Sequence, residues 1–123
     1  MILRKEIVEH VSKELSLPFT GTEQDWDIEM ADQRRVDEFV AYYKENDLSK
    51  EVKYAIMSLI LASYDDFLNE KDLDKDNKWN EIKVILKSEK EIFTNLINYW
   101  SVGTETANVF RITPLIREVK AID

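Results

Sequence analysis

Leu3, Ile7, Val8, Val11 and Leu15 recur at intervals that fall on one side of a helix, with Arg4, Lys5, Glu9, Lys13 and Glu14 on the other. Residues 2–17 therefore read as an amphipathic helix closed by Pro18, whose ring cannot continue a helical ladder. Phe19-Thr20-Gly21-Thr22 reads as a loop. Trp26, Ile28 and Met30 then alternate with Asp27 and Glu29, a period of two that suits a short strand or an extended segment packed on helices.

The helical period returns after Asp32, whose carboxylate suits an N-cap, with Val36, Phe39, Val40 and Tyr43 as the inward stripe. Asn46-Asp47 should close that helix, and Ser49 should cap a third helix running from about Lys50 to Asn69. Val52, Ala55, Ile56, Leu59, Ile60, Ala62, Ser63, Phe67 and Leu68 cover more than one face of it, the pattern of a helix surrounded by others. After the polar connection Glu70–Asn77, a fourth helix turns Trp79, Ile82, Ile85 and Leu86 inward. Ser88 and Glu91 have capping-box spacing ahead of a fifth helix with Ile92, Phe93, Leu96, Ile97 and Trp100 on its core side. Gly103 suits a helix terminus, and Val109–Ile112 suits a short strand. Thr113-Pro114 resembles an N-cap and first-turn proline of a last short helix. The fold expected over residues 1–123 is one mainly α domain, a bundle of about five helices. Trp26–Met30 and Val109–Ile112 form either a minor two-strand pair or two extended packing segments.

Composition supports long helices, since 123 residues contain only two Gly and two Pro. The absence of Cys excludes disulfides, thiolate chemistry and Cys-ligated metals, and points to a reducing compartment. Met1 to Glu6 hold no long apolar stretch, and the run Ala55 to Ala62 is too short to span a bilayer, so a cytoplasmic protein is expected. A net charge of −8 argues against nucleic-acid and membrane partners. The charge is concentrated: residues 21–40 carry seven acids against two bases, and residues 64–81 carry seven against three.

Candidate chemistry is sparse. Asp72, Asp74 and Asp76 occupy positions 1, 3 and 5 of an EF-hand-like loop, but position 6 is Asn77 instead of Gly, and position 12 is Lys83 instead of the bidentate Glu. Glu81, at position 10, cannot replace that ligand without remodelling the loop. His10 is the only histidine, so no nucleophile–base pair is evident, and neither catalytic residues, cofactor nor metal is expected. What remains is aromatic and acidic. In Tyr42-Tyr43 and Tyr99-Trp100, helical neighbours point about 100° apart, which leaves one ring of each pair toward the edge of the core. Tyr64-Asp65-Asp66 ends the central helix just before the acidic connection. Aromatic rings among carboxylates can anchor a basic partner; the alternative is a tyrosine closing the core beside solvated acids.

Tyr64-Asp65-Asp66, Trp79, Leu96-Ile97-Asn98-Tyr99-Trp100 and Ile112-Thr113-Pro114-Leu115-Ile116-Arg117 give residues roughly 55–117 a general look that resembles the small acidic helical immunity proteins of bacterial toxin systems. That resemblance implies an acidic surface covering a cognate toxin, commonly a basic nuclease, and carries over no site residue. The charge map supplies the candidates instead: Tyr64, Asp65, Asp66, Asp72, Asp74 and Asp76 as one partner-binding surface, and Glu23, Asp25, Asp27 and Glu29 as a second. The expected function is a non-enzymatic inhibitor of a basic protein, acting as monomer or homodimer. The alternatives are an assembly subunit acting through homo-oligomerisation and a metal-dependent helical hydrolase.

Overall fold

The computed structural model describes residues 3–101 and 110–121. Helix α1 spans Lys5–Glu14, α2 Trp26–Met30, α3 Val36–Glu45, α4 Lys50–Lys71, α5 Lys78–Ser88, α6 Thr94–Trp100 and α7 Thr113–Ala121, with a 3-10 turn at Gln33–Arg35 leading into α3. Among the described residues there are seven helices and no strand. No helix among them is long and apolar enough to cross a membrane.

Helix α4 is the axis. Its 22 residues extend about 33 Å at the helical rise of 1.5 Å per residue. Ser49 caps it by accepting a 3.2 Å bond from the Val52 amide. Ile56, Leu59, Ile60 and Leu61 are completely enclosed because α1, α2, the 3-10 turn and α3 all pack against this helix, while α7 packs against α5 and α6. Such a buried helix must be apolar nearly all round, which matches the pattern in its sequence.

The scarcity of glycine is met by an unusual choice at two helix ends. Beyond α1, Ser16 takes φ 53°, with the Leu17 amide donating to the Ser12 carbonyl at 2.8 Å. Beyond α4, Asp72 also takes φ 53°, with the Leu73 amide donating to the Leu68 carbonyl at 2.9 Å. Both are Schellman closures built without glycine, and in each the following Leu supplies an apolar side chain at the position where such motifs favour one. Pro18 thus follows a helix that Ser16 has already stopped.

Four expectations change. The described residues hold seven helices instead of about five, because the short segment Trp26–Met30 and the final Thr113–Ala121 each form a separate helix. Trp26–Met30 is a helix, not a strand or extended segment. The Glu29 carboxylate accepts from the amides of Gln24 and Asp25 at 3.0 and 2.9 Å, and the Glu29 amide donates to the Asp25 carbonyl at 2.9 Å. These local bonds satisfy the first turn. The i, i+4 pair Trp26 and Met30 is buried, and the Trp26 Nε1 donates to Ser12 Oγ at 2.9 Å, so Ile28 turns outward. The second strand also fails: Val109 lies outside the described residues, as does Gly103, whereas Phe110–Ile112 is irregular backbone leading directly into α7. Finally, Ser88 does not start a capping box. It is the last residue of α5, and its hydroxyl donates back to the Ile85 carbonyl at 3.1 Å.

Candidate functional site

The surface expected around Tyr64 is largely consumed by the fold. Tyr64 is completely enclosed, stacked between Phe67 and Trp79 with ring centroids 6.1 and 6.5 Å away. Its hydroxyl donates to Asp76 Oδ1 at 2.7 Å and accepts from the Asp76 amide at 3.2 Å, while the Lys78 amide donates to the same carboxylate at 3.1 Å. Burial, reinforced by the Asp76 carboxylate, raises the phenol's pKa. Tyr64 presents no ring to a partner; it fastens the connection between α4 and α5 to the core.

Asp65 is also buried, and accepts from the Ile112 amide at 3.0 Å and from Asn69 Nδ2 at 3.3 Å. Asp72 and Asp74 are exposed but converge on Arg111, at 2.9 and 3.3 Å. Three of the acids expected to face outward therefore hold the segment before α7 through Arg111 and Ile112. The EF-hand-like spacing has the same outcome, with Asp76 committed to Tyr64, and no group of three or more His, Cys, Asp or Glu residues is placed to hold a metal among the described residues. Asp66 is exposed and has no hydrogen-bond or ion-pair partner among the described residues, and it lies beside Arg34, Asn69 and Glu70 in a polar depression.

The second acidic segment divides in two. Glu23 closes its own turn, accepting from the amides of Thr20 and Gly21, both at 2.9 Å, and from Thr20 Oγ1 at 3.0 Å. The bond from the Thr20 amide is the main reason its pKa falls below the usual glutamate range. Glu29 caps α2 as described. Asp25 and Asp27 have no ion-pair partner among the described residues, and the Asp27 carboxylate is met only by amides of its own helix turn, those of Asp27 and Ile28.

These two unpaired acids stand at a groove of about 500 Å³ formed with Ile28, Tyr54, Asn95 and Tyr99, between the start of the chain, α2, α4 and α6. Ile28 is 45 % exposed and Tyr99 50 %, the largest exposures of the described large hydrophobic side chains except Val84. Tyr99 is held in place from behind: its ring meets Trp100 edge-on at 5.3 Å and lies 5.5 Å from Phe110. Trp100 is buried, so the Tyr99-Trp100 pair splits between surface and core as the 100° offset predicts. Burial raises the Asp27 pKa, and the nearby charge of Asp25 pushes it the same way. The phenols of Tyr54 and Tyr99 are raised by burial first and then by Asp27, which places both rings within electrostatic reach of that carboxylate.

Two members of this groove escaped the sequence reading. Tyr54 lies on a helix apolar nearly all round, where no periodicity separates a groove-lining ring from a core ring. Asn95 is a polar residue on a short helix, and nothing in its neighbours marks it. Ile28 was in view but on the wrong side, because the alternating pattern assigns it the same face as Trp26 and Met30. A helical reading of Trp26–Met30 would have exposed it. Compared with protein-family models, with curated proteins and with solved structures, the chain matches none.

Proposed function

We propose that this chain is a non-enzymatic protein-binding module that captures a basic partner, acting in the cytoplasm as an immunity-type inhibitor of a toxin. The observation that carries this reading is the pairing of two carboxylates without ion-pair partners among the described residues, Asp25 and Asp27, with the exposed apolar surface of Ile28 and Tyr99 in one groove. Apolar burial supplies affinity and unpaired charge supplies attraction and register, the division of labour seen in protein interfaces. The acids at 65, 72, 74 and 76 contribute to the field of the protein, but their lone pairs already have donors from the same chain.

A homodimer through this groove is disfavoured by charge. A two-fold interface places the same patch on both copies, which would bring two sets of Asp25 and Asp27 together. The hydrolase alternative lacks a supporting constellation among the described residues.

The test is capture from native lysate at low and high salt with three baits: the natural chain, Asp25→Lys with Asp27→Lys, and Asp72→Lys with Asp74→Lys. The expected result is one basic protein retained by the natural chain, weakened by salt, lost with the first double variant and kept with the second. Retention by all three baits would remove the groove from the reading. Recovery of only the chain itself would favour assembly.

A further inference from the structure

The groove holds a feature beyond charge and apolar surface. Tyr54 is only 7 % exposed, and its hydroxyl is not among the buried side-chain atoms that lack a hydrogen-bond partner, so its oxygen keeps contact with solvent at the groove. With no other described side chain bonded to it, that oxygen is offered to whatever occupies the groove. Around it stand two carboxylates without ion-pair partners among the described residues, the Asn95 amide and the half-exposed ring of Tyr99. The acceptors are several and spread, and the ring is fixed from behind by Trp100 and Phe110.

We infer that this groove is an arginine-reading site, which seats one arginine side chain of the basic partner with its guanidinium between the Tyr99 ring and the carboxylates of Asp25 and Asp27. The inference rests on the protein-binding reading above and narrows it to one chemistry. A guanidinium presents five donors in a plane, enough to serve two carboxylates and the oxygen of Tyr54 at once, and its flat face stacks on an aromatic ring. Its methylene stem would cover Ile28. An ammonium is a compact and strongly hydrated charge with three donors, and Asp27 is partly withdrawn from water, so a lysine would lose more hydration for fewer bonds.

The protein seats both kinds of cation over an aromatic ring internally. Arg35 sits 4.9 Å over the Phe39 ring while pairing bidentately with Glu38 at 2.8 and 2.6 Å, and Lys78 sits 5.0 Å over Phe67 with the Asp37 oxygens at 3.1 and 3.3 Å. The two side chains are similarly withdrawn, 23 % and 22 % exposed, and the arginine makes the shorter, two-pronged contact.

The experiment is an amide-resolved NMR titration of the whole chain with three peptides, acetyl-Gly-Leu-X-Leu-Gly-amide, where X is arginine, lysine or citrulline. Saturable shifts at Asp27, Ile28, Asn95 and Tyr99 are expected with the arginine peptide, which should bind about threefold or more tightly than the lysine peptide, the size of one exposed cation–π contact. Citrulline, with the same shape and no charge, should not bind. Tyr99→Ala should abolish the preference for arginine, and Asp27→Asn should weaken both cationic peptides; the unchanged spectra of distant amides verify that each variant is folded. Equal affinity for arginine and lysine, binding of the citrulline peptide, shifts centred on Asp72 and Asp74, or no shift with any peptide would each overturn the inference. The two levels separate cleanly. If Asp25→Lys with Asp27→Lys abolishes partner capture while the peptides show no arginine preference, the arginine inference falls and the binding module stands. If that double variant captures the partner unchanged, both fall.

Discussion

The carboxylate of Asp65 accepts a 3.0 Å hydrogen bond from the amide of Ile112, joining the last turns of α4 to the start of α7 across 47 residues of sequence. Burial raises the pKa of Asp65, and the Ile112 bond opposes that rise. Beside it, Arg111 reaches out to Asp72 and Asp74 at the surface. One residue of the pair Arg111-Ile112 is tied inside the protein and its neighbour outside.

Those two ties should differ sharply in value. Asp65→Ala leaves the buried Ile112 amide without an acceptor and should destabilise the protein by about 1–3 kcal/mol. Arg111→Ala removes ion pairs whose acids are 90 % and 98 % exposed, where water and salt screen the attraction, so its effect on thermal unfolding should be too small to resolve. Calorimetric melting of both variants checks this. An Arg111→Ala loss as large as that of Asp65→Ala would place the clasp, rather than the buried bond, in charge of docking α7.

A second junction should show itself through pH. Glu89 accepts from the Tyr43 hydroxyl at 2.7 Å and from Lys53 Nζ at 2.6 Å, which ties the turn after α5 to α3 and α4. Burial alone would raise its pKa, but the bonds from Lys53 and Tyr43 outweigh that and lower it. A depressed folded pKa means that the stabilisation is complete above the ordinary glutamate value of 4.5 and disappears as pH falls through the lower folded value. Glu89→Gln should therefore cost about 1–3 kcal/mol near neutral pH. The gap from the natural chain should close on acidification below pH 4.5 in melting curves collected across that range.

The groove has the opposite sign. Burial and Asp25 raise the Asp27 pKa above the ordinary aspartate value of 3.8, so the folded protein takes up its proton more readily than the unfolded chain. Protonation at Asp27 therefore favours folding as pH falls through the raised value, while it removes a charge needed to hold a cation. Binding of a basic partner should weaken on acidification at a pH above 3.8, before the fold is lost. Tyr54 and Tyr99 remain neutral throughout that range, which lies far below the ordinary phenol value of 10.0, above which both are raised. Titration calorimetry with the captured partner, repeated as pH is lowered and again with Asp27→Asn, measures this; the variant should show a flatter profile.

Charge and apolar surface should also separate in time. Asp25→Asn with Asp27→Asn should slow association and flatten its salt dependence, because unpaired carboxylates steer encounter. Ile28→Ala or Tyr99→Ala should leave association nearly unchanged and speed dissociation, since contacts of that kind act after docking. Surface-binding kinetics at two ionic strengths distinguish them, and equal effects of both classes on the association rate would contradict the division.

The helical build was legible because burial repeats along the chain. The stripes of α1, α3 and α5, the all-round apolar α4 and the Ser49 cap follow from local spacing and local hydrogen bonding, and the structure contains each of them. The short elements were not legible. Five residues cannot separate a period of two from one of 3.6, and the bonds from Gln24 and Asp25 to Glu29 decided α2. Ile28 changed sides with that decision.

Residue identity settled the number and placement of the acids, the absence of thiol chemistry and the concentration of charge in two segments. Which acids are free was settled only by folding, because a carboxylate's availability depends on donors distant in sequence. Asp65 meets Ile112, and Asp72 and Asp74 meet Arg111, once α7 returns beside the end of α4. Asp25 and Asp27 meet no such donor. The same packing gathers Ile28, Tyr54, Asn95 and Tyr99 from three helices around them, a neighbourhood that arises only in three dimensions.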